Sequence, residues 1–421
     1  MPSALKLLFV SSFPASPATF GAQRRLEGLM RSLASRNRVS FVGLCPPDFD
    51  RDVAYRAMRE YCDEVVLVPC REAAGRSKRI SQLRSLGSTK SYERRYMNQP
   101  GLQRELDRIL RARPFDVVSV ETPFMAFSRF RSAPPGHPPP HVIVDAHNVE
   151  FDLARQYGEM STGLSRRVYH ALNWRKLRRE ELRAWRMVDG VAFTSPDDEA
   201  RARAFYPEIR SAVVPNGVDT EQFRPRNAAP DARPTLLFFG TMNYFPNLDA
   251  VRWLLGDIWP RIAKRSPDVR LKIIGSHPPP DVLAQHGPDV EIAGLVDDLQ
   301  RHLAEATAII VPLRIGGGTR LKILESLAMG KAIVSTALGA EGIALEAERH
   351  ILIADDPEAF SSAALRLLED PALAHRLGDA GRKVVETTYS WAAIAERMEG
   401  FLRELRGSVR QTTSEAMTAS G

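Results

Sequence analysis

The chain has 421 residues, of which 44% are hydrophobic and 26% charged, a composition that excludes a disordered or fibrous protein and indicates two or three globular domains. Its first 210 residues carry 35 Lys and Arg against 24 Asp and Glu, a net charge of +11, whereas the remainder carries 23 against 27, a net −4. The basic half predicts contact with an anionic lipid surface or, as the alternative, a well-solvated arginine-rich surface.

The three cysteines, Cys45, Cys62 and Cys70, form no CxxC pair. This spacing predicts neither a disulfide framework nor a zinc site, and it favours a cytoplasmic protein. The first apolar stretch, "LKLLFVSS", lacks a basic flank and a small-residue cleavage site, so it is predicted to be a strand rather than a signal peptide. No run approaches the roughly 18 apolar residues that span a bilayer.

Short apolar runs recur along both halves of the chain, and a longer stretch of helical pattern follows each. Continuous rather than alternating apolar runs are typical of strands buried on both faces of a parallel sheet. The runs are "LKLLFVSS", "RVSFVGLC", "EVVLVPC", "FDVVSVE", "HVIVDAHN" and "DGVAFTS", then "TLLFFGT", "VRLKIIG", "VEIAGLV", "ATAIIVPL", "KAIVST" and "HILIAD". Two such series predict an α/β protein with two Rossmann-like, doubly wound parallel-sheet domains.

The turn signal Asn216-Gly217 and the Pro- and Arg-rich stretch after it predict the join between the domains, near residues 213–235. Residues 1–212 and 213–388 are therefore expected to form the two domains. Residues 389–406 are predicted to form a last helix, because their apolar residues recur at helical spacing. Residues 407–421 are predicted to be a disordered tail.

Two segments in the first half, residues 71–113 and 165–187, are strongly basic. The second has apolar residues among its cations, as in a helix that lies on a membrane surface. The alternative is a helix that packs on its own domain and leaves one charged side in solvent.

Two loops of the first half carry candidate site residues. Gly21 follows the first strand and precedes a helix with Arg24 and Arg25, which indicates either an anion-binding loop or a simple helix start. In "VDAHNVE" a strand ends in a cluster of polar side chains that includes His147. A histidine there can hydrogen-bond a substrate hydroxyl or titrate near neutral pH, although it can also be structural.

In the second half, glycines follow successive predicted strands. Gly240, Gly275 and the segment Gly294-Leu295-Val296 are expected at the carboxyl ends of strands, where ligands bind in open α/β sheets. Each glycine alone indicates only a turn, but together with a fourth loop they predict a cleft.

The fourth loop, "IGGGTRLKILE", is the most informative stretch. Gly317, Gly318 and Thr319 lie at a predicted strand-to-helix turn, where bare backbone amides can approach an anion at the positive end of a helix. Arg320 and Lys322 follow, and two cations at that end oppose the helix dipole unless something negative, such as a diphosphate, binds there.

Glu325 lies beside the stripe of Leu321, Leu324 and Ala328 that is predicted to be buried on the same helix. A buried carboxylate needs donors. Ribose hydroxyls would supply two of them, and an ion pair with Arg320 or another cation is the alternative.

These motifs resemble the GT-B fold glycosyltransferases of group 1 or family 4, which are retaining enzymes. The resemblance is carried by "FPASPATFGAQRR", "VDAHNVE", "VPNGVD", "FFGTMNYFPN", "IAGLVDDL" and "GGGTRLKILESLAMGKAIVSTALGAEGI", the last being the most specific. It implies two Rossmann-like domains that face a central cleft, with the last helix returning to the first domain.

The resemblance also implies site residues for a nucleoside-diphosphate sugar. Glu325 matches the glutamate that holds the ribose, Gly294 to Val296 match the loop that meets the base, His147 matches the histidine beside the donor sugar, and Gly21 matches a glycine near the diphosphate. Two departures stand out. The earlier of two family glutamates is replaced by Gly317, and the Arg and Lys expected after Gly240 are missing, so Arg320 and Lys322 are expected to take over their contacts.

The implied reaction moves a sugar to a saccharide or lipid-linked saccharide acceptor in exopolysaccharide or other envelope glycan synthesis, with no metal and no other cofactor. The expected location is the cytoplasm, with peripheral contact to the inner membrane face. Two alternatives remain: a nucleotide-sugar epimerase with the same fold, and a non-catalytic nucleotide-sugar-binding protein. No nucleic-acid-binding module is recognisable, and no nucleic-acid partner is expected.

Overall fold

A computed structural model describes residues 3–70, 85, 87–160, 164–226, 233–316 and 319–408, with side chains from residue 160 to 168 excepted. The chain divides into two compact units, one comprising Met1–Val214 and Ala395–Gly421 and the other Pro215–Ile394. The predicted join at residue 212 lies two residues before this division. The predicted disordered tail lies outside the described residues from 409 onward.

The first unit contains a parallel seven-stranded sheet in the order β3-β2-β1-β4-β5-β6-β7. Its inner strands are largely buried, as expected for a parallel sheet covered on both faces, which explains their continuous apolar sequence, whereas the edge strands β3 and β7 are only partly buried. The strands are β1 Lys6–Ser11, β2 Arg38–Cys45, β3 Glu64–Pro69, β4 Val117–Val120, β5 His141–Ala146, β6 Gly190–Phe193 and β7 Ser211–Val213.

The helices of the first unit begin at ordinary helix-start signals. Asp50, Ser91 and Ser195 accept hydrogen bonds from backbone amides of the first turn of the helices that follow them. The helices are α1 Gly21–Ala34, α2 Arg51–Arg59, α3 Tyr92–Met97, α4 Pro100–Ala112, α5 Glu150–Met160, α6 Leu164–Met187 and α7 Pro196–Arg203, with a 3-10 helix at Pro123–Phe127.

The basic helix α6 packs on its own unit. Leu177, Ala184 and Trp185 are buried in the core of the first sheet, whereas Leu172 and Met187 are about half exposed. This packing favours the alternative of a helix that covers its domain and leaves one charged side in solvent. Much of the other basic segment, residues 71–84 and 86, lies outside the described residues.

The second unit contains a parallel six-stranded sheet in the order β10-β9-β8-β11-β12-β13. Its strands are β8 Thr235–Phe239, β9 Arg270–Ile274, β10 Val290–Gly294, β11 Ala308–Val311, β12 Ile333–Ser335 and β13 Leu352–Ile353. Its helices are α8 Phe245–Trp253, α9 Trp259–Arg265, α10 Pro280–Leu283, α11 Leu299–Glu305, α12 Leu321–Ala328, α13 Ala337–Ala340, α14 Pro357–Glu369 and α15 Pro371–Thr388, with a π-helical turn at Leu254–Ile258 between α8 and α9.

The prediction of two doubly wound parallel-sheet domains is confirmed, and each of the twelve predicted apolar runs contains a strand. The short strand β7 was missed because three residues are too few to show a pattern. The last helix, α16, covers Trp391–Gly407, and its residues from Ala395 onward cluster with the first unit.

Both sheets reverse their winding direction between two neighbouring strands. The reversal lies between β1 and β4 in the first sheet and between β8 and β11 in the second. The crevice outside the carboxyl ends of such strands is where open α/β sheets bind ligands. The loops after these four strands are therefore the places to look for a site. Within the described residues, no helix is long and apolar enough to cross a bilayer.

Candidate functional site

Three of the predicted glycines line one edge of the second sheet. The Gly240 amide donates to the Ile274 carbonyl at 2.9 Å, and the Gly275 amide donates to the Gly294 carbonyl at 2.8 Å. A side-chain carbon at Gly275 would lie 2.0 Å from the Gly240 carbonyl oxygen. Gly275 is thus required first by close backbone packing, and contact of Gly240 or Gly275 with a ligand remains a prediction.

The loop after β10 is more open. A side-chain carbon at Gly294 would meet nothing within 4 Å, and Leu295 is 82% exposed. Val296 is partly buried, and Asp298 then caps α11 by accepting a hydrogen bond from the Arg301 amide. Asp298 is therefore the N-cap of α11, and Gly294 to Val296 form an open loop at the end of β10.

The glycine-rich turn after β11 is only partly described. Gly317 and Gly318, both predicted site residues, lie outside the described residues. Gly316 has φ of +135°, and a side-chain carbon there would lie 2.9 Å from Arg320 Nη2. The turn therefore needs glycine at this point because the Arg320 guanidinium packs over its backbone.

Thr319 is held in place by a residue that the sequence marks only as a turn. The Asn216 side chain donates to the Thr319 carbonyl at 2.7 Å, and the Asn216 amide donates to Thr319 Oγ1 at 3.3 Å. Thr319 and Arg320 are both buried, at 5% and 9% exposure. The "VPNGVD" motif thus fixes the backbone immediately before α12.

Helix α12 begins at Leu321, directly after the predicted turn, with Arg320 as the extended residue before it. The amides of its first turn have no partner within the helix, and they carry the positive end of its dipole. Arg320 and Lys322 stand at this end, as the sequence predicts, so three sources of positive potential coincide.

The Lys322 side chain is held by contacts with Asn247 and Phe238. Its Nζ donates to Asn247 Oδ1 at 2.8 Å and lies 4.2 Å from the centre of the Phe238 ring. Burial, helped by the nearby Arg320 cation, lowers the pKa of Lys322 to about 7, against a raising effect of Glu325. An anion that binds beside Lys322 would raise its pKa and so stabilise the charged ammonium form.

Glu325 is 3% exposed, near the middle of a helix whose residues from Ile323 to Ala328 are all buried. The buried face of α12 is wider than the predicted stripe, because α12 lies between the sheet and α15. Leu321, which was predicted to be buried, is only partly buried. The Gly381 position of α15 lies so close to Leu327 that a side-chain carbon there would approach it to 2.5 Å. Ribose binding by Glu325 remains a prediction.

The first unit holds a second cluster, at the ends of β4 and β5. His147 Nε2 lies 3.0 Å from Glu121 Oε2, and Thr194 Oγ1 donates to the His147 carbonyl at 3.0 Å. The His147 side chain is 16% exposed. Glu121 was missed as a site residue, although its signal was available: it directly follows a buried strand that neighbours the strand of His147.

Beside this pair lies a buried ion pair. Both Asp145 oxygens accept from Arg25, at 2.9 Å from Nε and 2.5 Å from Nη2, and both side chains are almost fully buried. The Arg25 guanidinium is therefore occupied by an intramolecular ion pair. Gly21 is the exposed first residue of α1, and a diphosphate contact at Gly21 remains a prediction.

Further carboxylates lie at the start of α5. Glu181 accepts from the amides of Glu150 and Phe151, at 3.1 Å and 2.9 Å, so it caps that helix from α6. Burial raises the pKa of Glu150 to about 7 and the pKa of Glu181 well above its ordinary value. This capping keeps the "HNVE" backbone in place, and Glu181 was not predicted.

Two sequence-family models match the chain. "Glycosyltransferase Family 4" matches residues 21–222, and "Glycosyl transferases group 1" matches residues 233–370. These matches coincide with the two parallel-sheet units. The chain belongs to the GT-B glycosyltransferases. The resemblance predicted from the sequence is thereby confirmed.

Among curated proteins, this glycosyltransferase is 28% identical over 242 residues to the GDP-mannose-dependent α-(1-6)-phosphatidylinositol monomannoside mannosyltransferase of Mycobacterium tuberculosis. It is also 28% identical over 209 residues to the phosphatidyl-myo-inositol mannosyltransferase of the same organism. The first match covers 51% of this chain and 62% of the relative, the second 46% and 54%. The chain thus spans less than two thirds of these relatives.

Solved structures share the fold over nearly the whole glycosyltransferase. Sucrose-phosphate synthase from Thermosynechococcus elongatus superposes with a TM-score of 0.71 at 18% identity, covering 95% of this chain and 99% of that one. Anabaena HepE in complex with UDP and glucose superposes with a TM-score of 0.62 at 14% identity, with the same coverage. At these identities the likeness supports the fold alone.

Proposed function

We propose that this glycosyltransferase moves a sugar, with retention at the anomeric carbon, from a nucleoside-diphosphate sugar to a saccharide or lipid-linked saccharide acceptor. The observation that carries the proposal is the start of α12. Here the positive end of a helix, Arg320 and Lys322 meet beside a glycine turn held by Asn216. Such a concentration of positive charge is suited to a diphosphate.

The donor is proposed to lie along the glycine edge of the second sheet. Glu325 would accept hydrogen bonds from the ribose, and the Gly294 loop would meet the base through its backbone. Gly240, Gly275, Gly317, Gly318 and Thr319 would allow the diphosphate to approach. The GDP-mannose dependence named for the mycobacterial relative and the UDP bound to HepE support a nucleotide donor as a class.

Arg320 and Lys322 are proposed to stabilise the leaving diphosphate, which would make a metal unnecessary. Both take the place of the Arg and Lys that this chain lacks after Gly240. His147 is proposed to orient the transferred sugar rather than to bind the nucleotide.

The acceptor is proposed to be lipid-linked and to belong to envelope glycan synthesis. The phosphatidylinositol substrates named for the mycobacterial relatives and the net charge of +11 from 35 basic and 24 acidic residues in the first 210 positions support this. The proposed location is cytoplasmic and peripheral. Flotation with anionic liposomes at low salt tests it: the protein should rise with the vesicles and be released by salt. Failure to co-float at low salt contradicts it.

The donor is tested with a thermal-shift panel of UDP-, GDP- and ADP-sugars, with and without chelator. One nucleotide should raise the unfolding temperature, and chelator should leave that shift unchanged. Incubation with acceptor glycans should release nucleoside diphosphate and give a product with the anomeric configuration of the donor. An epimerised donor would indicate an epimerase instead, and binding without any product would indicate a nucleotide-sugar-binding protein.

His147→Ala separates the two parts of the proposal. It should slow transfer by roughly tenfold or more, the equivalent of one charge-assisted hydrogen bond in the transition state, while nucleotide affinity stays within about twofold. An equal loss of nucleotide binding and turnover would instead make His147 a structural histidine.

A further inference from the structure

The carboxyl group of Glu121 makes one contact to His147 and is otherwise enclosed. Glu121 follows β4, its amide donates to the Val10 carbonyl of β1 at 3.1 Å, and its side chain is 1% exposed. Oε2 lies 3.0 Å from His147 Nε2, whereas Oε1 has no hydrogen-bond partner among the described residues. A buried carboxylate with one unpaired oxygen is costly unless it is protonated or faces a cation.

The ionisable groups around Glu121 fall into two pairs of opposite type. Arg25, from α1, and Asp145, at the end of β5, neutralise one another through two hydrogen bonds. Glu121 and His147 then form the second pair. One proton placed between them keeps the whole cluster neutral, either as carboxylic acid with imidazole or as carboxylate with imidazolium. Two protons or none would leave a net charge in a buried place.

A metal ion is the competing occupant. Among the described residues, Glu121, Asp145 and His147 each offer a ligand-type atom, and these atoms lie within 4.8 Å of one another. Both Asp145 oxygens are, however, already bonded to the Arg25 guanidinium, which would also repel a cation placed beside it. A proton satisfies the same cluster without displacing Arg25.

We propose that Glu121 is the positioning residue of His147, and that the two side chains hold one shared proton that fixes the orientation of the imidazole ring. This inference rests on the proposed function only in giving His147 a donor sugar to orient. The shared proton is a property of the free protein.

The energetics of the pair agree with this geometry. Burial raises the pKa of Glu121 to about 7, with the Asp145 charge adding to the effect and His147 and Arg25 opposing it. A carboxyl group in this range matches an imidazole, so the proton can rest on either partner. Glu121 and His147 then hold that proton as a pair.

The test is to follow the Glu121 side-chain carboxyl carbon by ¹³C NMR in the full-length protein, as a function of pH. In the unaltered protein, this carboxyl should titrate with a pKa of about 7 rather than at its ordinary value of about 4.3. Glu121→Gln keeps the shape but cannot hold the shared proton, so the His147 ring should lose its fixed orientation, which shows as a change in its ring-carbon signals at neutral pH. The same variant should lower kcat about tenfold and change nucleotide affinity less than about twofold.

A matched control uses an exposed pair of the same kind. His375 Nδ1 lies 3.0 Å from Asp379 Oδ2, with both side chains largely exposed. Asp379→Asn should leave the Glu121 titration and kcat unchanged.

Titration of Glu121 at its ordinary carboxyl pKa of about 4.3 overturns the proposal, and that measurement needs no variant to fold. Zinc binding at micromolar concentration that shifts the His147 signals overturns it in favour of a metal site. A Glu121 pKa of about 7 in a protein that transfers no sugar supports the shared proton and removes only the proposed function.

Discussion

The start of α12 in the second unit and the Glu121–His147 cluster in the first unit both gather charged side chains at the carboxyl ends of parallel strands, next to the point where a sheet reverses its winding. At α12, positive groups accumulate: Arg320, Lys322 and the helix dipole. In the Glu121–His147 cluster, ionisable groups of opposite type lie in pairs, Arg25 with Asp145 and His147 with Glu121.

The positive groups at α12 are suited to attract an anionic ligand, whereas the paired groups around His147 are suited to fix the orientation of a side chain. Positive groups placed close together raise the free energy of the empty protein and lower that of a complex with an anion. Balanced, buried pairs contribute little to attraction, but they allow few alternative side-chain arrangements. The following changes test this contrast, from the largest expected effect to the smallest.

Removing Arg25 from its ion pair with Asp145 should have the largest effect. Arg25→Met leaves the fully buried Asp145 carboxylate without its partner, so the free energy of unfolding should fall by about 3–5 kcal/mol, measured by urea denaturation. The double variant Arg25→Met with Asp145→Leu removes both charges and should recover much of that loss. If the single and double variants are equally unstable, the pair stabilises by packing and not by charge.

Glu325→Ala tests the α12 region by removing its buried carboxylate. Loss of the proposed ribose contacts should weaken donor binding by about 2–3 kcal/mol, measured by calorimetry. Glu341→Ala, on a partly buried carboxylate outside the proposed ribose contact, is the control and should leave the dissociation constant unchanged. An unchanged dissociation constant in Glu325→Ala itself would exclude Glu325 from the site.

The glycine edge can be tested with a pair of alanine substitutions. At Gly275 the new carbon would lie 2.0 Å from the Gly240 carbonyl oxygen, so Gly275→Ala should cost roughly 1–3 kcal/mol of stability. At Gly294, with φ of +64° and open space, alanine should cost about 1 kcal/mol. Thermal denaturation would rank them, and the reverse order would contradict the close packing of β8 and β9.

Lys322 should make nucleotide binding depend on pH. Because its pKa is lowered to about 7, it is cationic below that pH and increasingly neutral above it. Affinity for nucleoside diphosphate should therefore be full below pH 7 and fall by up to about tenfold, or 1.4 kcal/mol, for each pH unit above it. Calorimetry in buffers of different ionisation enthalpy should then show proton uptake at pH 8. Lys322→Met should bind weakly with no such slope, and a slope that persists in this variant would assign the proton elsewhere.

The sequence predicted the fold well because parallel strands buried on both faces leave long apolar runs, and glycines mark the turns after them. It located the α12 region through the charge conflict at Arg320 and Lys322. It could not supply Asn216, Asn247 and Glu181, because each acts on a residue distant in the chain, whereas Glu121 was missed although it directly follows a predicted strand. It also predicted too narrow a buried stripe on α12, since covering by α15 depends on tertiary packing.

The segment around Gly217 has a practical consequence. A side-chain carbon at Gly217 would lie 2.5 Å from the Trp391 ring, and the Val218 amide donates to the Tyr389 carbonyl at 2.8 Å. The points at which the chain enters and leaves the second unit are therefore adjacent. A gene fragment for residues 215–394 should yield a module with neighbouring ends that can be expressed, circularly permuted or grafted as a separate piece.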